Sequence, residues 1–260
     1  MQMINSHCGV TRDARGVVRL TISNAGSLTI LNTTVIKAVT EGLRTLAADA
    51  DIRALVLAGG TEKSMIGGAD IKEMATLDQA SAERFISGLR DFCEAVRDFP
   101  APTIARMPGW CLGGGLEVAA ACDFRVAAQD AKFAMPEVRV GIPSVIHAAL
   151  LPRLIGWGRA RWLLMTAATI DAPTALDWGL IDVVATDGEL LDAAVERVVE
   201  MLLECGPQAL RNQKALLRQW EDLPLKESVE VSVGAFGRSY LTDEPRRLMQ
   251  DFIDRKRGGK

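Results

Sequence analysis

Gly113-Gly114-Gly115-Leu116-Glu117 is the stretch on which the reading of this chain turns, and Met135-Pro136-Glu137 ends in a second glutamate twenty residues later. Both glutamates sit in apolar surroundings, and both follow a segment that reads as a strand. A glycine run that opens a short helix leaves free N–H groups pointing at whatever docks there. A carboxylate in the first turn of that helix, with a second one nearby, points to acid–base chemistry beside a developing negative charge. The run is not a P-loop, because no Gly-Lys-Ser/Thr follows, and the GxGxxG spacing of a dinucleotide fingerprint fails after Gly115.

A third segment, Ser64-Met65-Ile66-Gly67-Gly68-Ala69-Asp70-Ile71-Lys72-Glu73-Met74, has the same character. Two glycines and a small residue let the backbone approach a ligand closely. Asp70 is placed to cap the helix that follows. That leaves the Ala69 N–H facing outward near a helix start, where it pairs with the Gly114 N–H as a two-donor oxyanion hole. Lys72 and Glu73 read as solvated helix residues.

Outward from these segments the chain alternates strands and helices. Val17 to Ile22 is a strand by its β-branched content, and Ile52 to Ala58 is an apolar strand of the kind buried on both faces. Asn32 caps a helix that runs to Ala48, with Val35, Ile36, Val39, Leu43 and Leu46 on one face. Gln79 to Asp98 is a helix stopped by Pro100 and Pro102. Thr103 to Met107 and Asp123 to Ala128 are strands flanking a short helix, Leu116 to Ala121. This alternation gives an α/β class, and periodicity alone suggests a doubly wound sheet. From Val145 onward the pattern is mostly helical: Val145 to Ile155, Arg159 to Ala167, Ala172 to Asp177, Leu190 to Leu203, Pro207 to Gln219, Leu225 to Leu241 and Glu244 to Lys256. A short strand near Asp182-Val183-Val184 interrupts it. Cys205-Gly206-Pro207 reads as a linker, dividing a core of residues 1–204 from a helical subdomain of residues 205–260.

Composition bounds the function. The 260 residues are 48% hydrophobic and 24% charged, ordinary for a globular protein, and the formal net charge of −3 argues against nucleic acid as a partner. No apolar run approaches the roughly 20 residues a membrane span needs. Met1 to Gly16 lacks a basic region followed by an apolar stretch, so no secretory signal is expected. The five cysteines are scattered without a CxxC pair, which fits a reducing cytoplasm rather than a disulfide scaffold or zinc site. With only His7 and His147, no histidine-rich metal site is available, and a Ser-His-Asp triad would have to use His147.

Taken together, the three segments resemble the enoyl-CoA hydratase/isomerase (crotonase) superfamily, and most closely its hydratases. Gly67 to Met74 is similar to that family's first oxyanion segment, and Gly113 to Ala119, running on to Cys122-Asp123, to its second. Phe133-Ala134-Met135-Pro136-Glu137 is similar to its second catalytic segment, and Ala175 to Asp182 to the stretch before its last core strand. Order and spacing agree across nearly the whole chain. The resemblance implies a crotonase-like spiral of β-β-α units, two roughly perpendicular sheets and a C-terminal helical trimerisation region, in a homotrimer or a dimer of trimers. It implies an acyl-CoA substrate, with CoA as part of the substrate, no separate cofactor and no metal. The Ala69 and Gly114 N–H groups match the pair that holds the thioester oxygen, and Glu117 and Glu137 match the two glutamates of hydratases. By analogy Glu137 supplies a proton and Glu117 activates water. Gly67, Ala69, Asp70 and Ile71 match the segment against CoA. Phe236, Phe252 and Arg255 match a C-terminal cluster that reaches CoA, often from a neighbouring subunit, with Arg255 in place of a lysine.

The chain departs from that pattern in three places. Asn24-Ala25-Gly26-Ser27-Leu28 lacks the usual Arg-Pro and basic residue of a CoA-binding segment, and Met65 stands where a phenylalanine is common. Gly141-Ile142-Pro143-Ser144-Val145-Ile146-His147 replaces a longer glycine-rich loop, and places Ile146 and His147 either in the acyl pocket or, for His147, in a structural role. Three functions remain open on sequence: hydration of a 2-enoyl-CoA, another CoA reaction (double-bond isomerisation or thioester hydrolysis), and a non-catalytic assembly or RNA-binding role. Retention of both glutamates favours hydration.

Overall fold

The computed structural model describes residues 1–186 and 188–258, with side chains to residue 256. Strands β1 (Gln2–Asn5), β2 (Cys8–Arg12) and β3 (Val17–Ile22) form an antiparallel meander. A two-residue strand β4 (Ile30–Leu31) then leads into α1 (Thr33–Ala47), where the Asn32 side chain accepts the Val35 N–H at 2.8 Å. Next come β5 (Ala54–Gly59), β6 (Ser64–Ile66), β7 (Gly68–Ala69), a single-turn helix α2 (Ile71–Met74) and the long α3 (Gln79–Arg97). The motif repeats as β8 (Thr103–Met107), β9 (Trp110–Leu112) and α4 (Gly114–Ala121), and begins again with β10 (Phe124–Ala127) and β11 (Lys132–Ala134).

Each turn therefore sends one strand to each of two sheets. β5, β8 and β10 join a seven-stranded sheet ordered β1-β2-β3-β5-β8-β10-β13, with β13 at Val183–Val184, while β6, β9 and β11 join a four-stranded sheet closed by β12 (Ile170–Asp171). In the large sheet the parallel strands follow chain order without a reversal. That corrects the doubly wound arrangement suggested by periodicity. The chain advances in one direction as a spiral, so it has no switch point at which a doubly wound sheet would place its ligand. The small strands escape a reading by periodicity because two or three residues carry no period.

Both faces of the large sheet are covered, which is why β5 is buried along its whole length. Leu55 and Leu57 face the main core beneath α1, α3 and α4, whereas Ala54 and Val56 face a second cluster with Val195, Val198 and Val199 of α7 (Leu191–Leu203). Alternation along a strand makes this two-sided burial automatic.

Beyond β11 the expected helix over Val145 to Ile155 is not continuous. Two 3-10 turns, Glu137–Val140 and Ile146–Leu150, precede α5 (Leu151–Thr166), which is itself broken at Gly156 (φ 76°). Ile146 has φ 39°, a left-handed value that ends any helix there, and Pro152 restarts one in the first turn of α5. α6 (Ala172–Trp178) and β13 (Val183–Val184) complete the spiral. After α7 come α8 (Pro207–Asp222), α9 (Leu225–Ser239) and α10 (Glu244–Gly258). The α8 helix is pinned by a buried lysine: Lys214 Nζ donates to Asp123 Oδ2 at 2.7 Å and to the Ala101 carbonyl at 3.2 Å. α10 is tied to the start of α8 through Glu244, whose carboxylate accepts the Gln208 and Ala209 N–H groups.

Candidate active site

The glycine run does open a helix, and α4 is buried at every position. Two of its glycines are required by space and dihedral. Gly113 has φ 52° and ψ −124°, a conformation that side-chain-bearing residues avoid, and a Cβ there would stand 2.5 Å from Glu137 Oε1. A Cβ at Gly115 would collide with the Ile66 carbonyl. The run thus lets the start of α4 wedge between β6 and the segment that carries Glu137.

Gly114 is the first residue of α4, so its N–H has no partner within the helix, and it finds no acceptor elsewhere among the described residues. On the neighbouring strand, the Asp70 N–H donates to the Leu31 carbonyl at 2.9 Å. Successive N–H groups along a strand point to opposite sides, so the Ala69 N–H faces away from β4, on the side of β7 with no paired strand. α4 packs on β7, and a Cβ at Gly68 would lie 3.4 Å from the Leu112 carbonyl, so β7 runs beside the end of β9. The two free donors therefore belong to adjoining backbone segments.

Glu117 lies one turn into α4 and is 3% exposed. Its Oε1 accepts the Ala148 N–H at 2.9 Å, from the second 3-10 turn. Burial pushes its carboxyl up to about 8, against the Ala148 hydrogen bond, with the nearby Glu137 charge adding to the rise. Glu137 is half-buried at the start of the first 3-10 turn, and its Oε2 accepts from Ser144 Oγ at 2.8 Å. Both carboxylates reach the same place: Glu137 approaches Gly113, and Glu117 Oε2 lies 3.8 Å from where a Gly114 Cβ would be.

The remaining residues singled out from sequence fall into three groups. Gly67, Ala69 and Asp70 are partly open to solvent and Ile71 is exposed, so this segment presents a surface. Asp70 caps α2, accepting the Lys72 N–H at 2.8 Å and the Glu73 N–H at 3.3 Å. Glu73 is not merely solvated, since it accepts the Thr33 N–H at 2.9 Å and so caps the start of α1. His147 is buried, with Nε2 2.9 Å from Glu94 Oε1 on α3, and Ile146 packs against the main core. Phe236, Phe252 and Arg255 lie exposed on α9 and α10. Phe236 stacks edge-on with Tyr240 at 5.5 Å, Lys256 Nζ lies 4.7 Å over the Phe252 ring, and Arg255 Nε donates to the Asp251 carbonyl.

Three partners of the site went unassigned from sequence: Ser144, the Ala148 N–H and Glu94. Ser144 is seven residues from Glu137 with no periodic relation to it, and a backbone donor leaves no mark on residue type. A cleft of about 500 Å³ lies at the far end of α4, beside Ala121, Arg153, Lys214 and Trp220. Its cations are already engaged, Lys214 by Asp123 and Arg153 by the Glu221 carbonyl. Among the described residues, no three His, Cys, Asp or Glu side chains could hold a metal ion, and no helix is long and apolar enough to cross a membrane.

Known proteins are similar to this chain over most of its length. The family pattern of enoyl-CoA hydratase/isomerase matches residues 12–258. The short-chain-enoyl-CoA hydratase of Clostridium acetobutylicum is 31% identical over 243 residues, covering 93% of this chain and 92% of that protein. The crotonyl-CoA hydratase of Syntrophomonas wolfei is 31% identical over 239 residues, covering 92% of each. The crystal structure of an enoyl-CoA hydratase from Bacillus anthracis superposes with a TM-score of 0.90 at 28% identity, over 96% of both chains. The spiral of strand pairs, the glycine-opened helix and these likenesses agree: the chain belongs to the enoyl-CoA hydratase/isomerase family and has the crotonase fold.

Proposed function

We propose that this enzyme adds water across the double bond of a 2-enoyl-CoA thioester to give a 3-hydroxyacyl-CoA. The observation that carries the reading is the convergence of two carboxylates on the start of α4, beside a backbone N–H that has no partner among the described residues. Addition of water to a conjugated thioester passes through enolate character, with charge on the thioester oxygen. Donors at Gly114 and Ala69 stabilise that charge, and losing one such donor typically costs roughly 10²–10³ in rate. The positive end of α4 acts in the same sense.

Glu117 takes a proton from water as the hydroxyl oxygen bonds to the β-carbon. The π electrons move to the thioester oxygen, and return as the Glu137 carboxyl protonates the α-carbon. Water is consumed, Glu117 ends protonated and Glu137 ionised, and proton exchange restores the pair. A carboxyl raised toward neutrality by burial is a stronger base once ionised than a solvated one, which suits Glu117 to the water. The Ala148 N–H stabilises that ionised form.

CoA lies against Gly67, Ala69, Asp70 and Ile71, and no cofactor is needed beyond the CoA the substrate carries. Phe236, Phe252 and Arg255 reach CoA from a neighbouring subunit, in a homotrimer or a dimer of trimers. Their exposure, and that of Val229 and Val233 along the same helix as Phe236, supports a subunit contact there. The helical part from residue 205 then serves assembly. Four free cysteines buried without disulfides support a reducing, cytoplasmic location.

Crotonyl-CoA tests the reading: the absorbance of the conjugated thioester falls on hydration. Glu117→Ala and Glu137→Ala should each lower the rate by about 10²–10⁴, and full activity in either variant overturns the two-glutamate mechanism. Mass spectrometry on a panel of acyl-CoAs separates the neighbouring reactions, since hydration adds one water, isomerisation leaves the mass unchanged and hydrolysis releases free CoA.

A further inference from the structure

The Ala148 N–H that meets Glu117 is delivered by a segment with two unusual features. Ile146 is a β-branched residue held at φ 39°, a strained value that persists only where the surroundings over-determine it. His147, next in the chain, is 5% exposed, and its Nδ1 is buried without a hydrogen-bond partner. Its Nε2 is held 2.9 Å from Glu94 Oε1. Glu94 is held in turn by Arg218 Nη2 of α8 on its other oxygen, at 3.2 Å, and by Arg97 at 3.5 Å. The strained turn, the anchored ring and the donating N–H occupy consecutive residues.

We propose that His147, anchored by Glu94, is a positioning residue that holds the Ala148 N–H on the Glu117 carboxylate. It rests on the reading of Glu117 as the group that activates water. The imidazole works in its neutral form, with the proton on Nε2 donated to Glu94, which leaves Nδ1 as a bare lone pair. A buried lone pair without a partner costs less than a buried N–H without one. Burial accordingly lowers the His147 titration, with the Glu94 charge opposing it. A glycine-rich turn in this place would leave the donor free to wander. The His147–Glu94 bond instead ties it to α3, the helix that also packs on α4.

The charged and titratable groups around the pair come from every element packed on it. Glu117 faces Glu137 from the first 3-10 turn and the buried Cys93 thiol from α3. His147 faces Glu94 and Arg97 from α3 and Glu221 from α8. Losing the Ala148 hydrogen bond removes an influence that favours ionised Glu117, so the Glu117 titration moves up.

The experiment reads Glu117 directly. In the full-length protein, the infrared band of its protonated carboxyl is assigned by its absence in Glu117→Gln and titrated against pH. His147→Leu fills the site without a donor and should raise the midpoint by about one pH unit. It should also lower kcat about tenfold with little change in KM. His147→Gln, whose amide reaches Glu94 as Nε2 does, should restore most of both, and Glu94→Leu should reproduce His147→Leu. An unchanged midpoint in His147→Leu, measured well below its unfolding temperature, overturns the proposal. A midpoint that moves in Leu but not in Gln supports it. The catalytic reading is judged separately, by whether Glu117→Gln abolishes hydration of crotonyl-CoA.

Discussion

The two glutamates make the most instructive comparison in the molecule. Glu117 stands on a helix buried at all its positions, and its carboxylate meets a single donor from the backbone. Glu137 begins a 3-10 turn in which no residue is buried, followed by an exposed run through residue 143. Its hydrogen bond comes from a serine side chain seven residues on. The side chains are chemically identical, so the difference lies in what surrounds them. One is a desolvated acid on a rigid element, the other a half-solvated acid on a surface turn. That asymmetry suits Glu117, the stronger base of the two once ionised, to the role proposed for it at the water.

Abolishing the asymmetry at its buried end should have the largest effect. Glu117→Gln keeps the shape and removes the ionisable group, and hydration should fall about 10³-fold. Stability should move the other way. The folded Glu117 titrates near 8, above the ordinary carboxyl range, so the unfolded chain loses this proton first as pH rises. Stability from this group is therefore full below about 4.5 and drains away as pH climbs toward 8. At pH 7 the wild-type residue thus costs on the order of 3 kcal/mol. Thermal unfolding followed by circular dichroism should show Glu117→Gln melting a few degrees higher at pH 8 and little changed at pH 4. A lower melting temperature at pH 8 would show that Glu117 contributes to stability rather than drawing on it. In the wild type, kcat/KM should rise with pH through an apparent value near 8, since Glu117 must ionise to take a proton from water. A falling limb there would exchange the roles of the two glutamates.

The same contrast explains what could be read from residues alone. Gly113 to Glu117 was legible because a helix start is a local event: the glycines, the free N–H and the first-turn glutamate lie within five consecutive positions. Asn32 and Asp70 were legible as caps for the same reason. Sheet order was not, because strands such as β9 and β11 have three residues each, and no periodicity tells a spiral from a doubly wound sheet. The resemblance, not the pattern, carried the fold. At the site, the Glu117–Ala148 bond joins residues 31 apart and the His147–Glu94 bond residues 53 apart. They depend on how α4 and α3, respectively, meet the turn after residue 145, which only packing decides. Glu73 misled the reading because a carboxylate on a short helix looks solvated until α1 is placed beside it.

A second perturbation acts where the two environments touch. Gly113→Ala forces a Cβ into a backbone shape that alanine avoids and toward Glu137 Oε1. Either the carboxylate moves or the start of α4 does. Displacements near 1 Å can cost about 10² in rate, and kcat should fall by that order while Glu117 keeps its elevated titration. The backbone strain should also lower stability by about 1–3 kcal/mol, measurable as a shifted urea midpoint. Unchanged kcat would show that Glu137 does not act from the position beside Gly113.

The smallest effect belongs to the solvated end of the pair. Ser144→Ala removes the one hydroxyl that Glu137 Oε2 accepts from, at 2.8 Å. Water can reach this half-exposed carboxylate and replace the lost bond, so the net loss is that of an ordinary hydrogen bond, about 1 kcal/mol. That corresponds to roughly a fivefold drop in kcat with KM unchanged, and Ser144→Thr, which keeps the hydroxyl, should recover it. By contrast, solvent replaces far less readily the donor that Glu117 loses if the Ala148 N–H is withdrawn, because Glu117 is only 3% exposed. A loss in Ser144→Ala as deep as that in His147→Leu would mean that Glu137 is also closed to water in the working enzyme, with an adjoining subunit or the bound acyl chain covering the exposed run through residue 143.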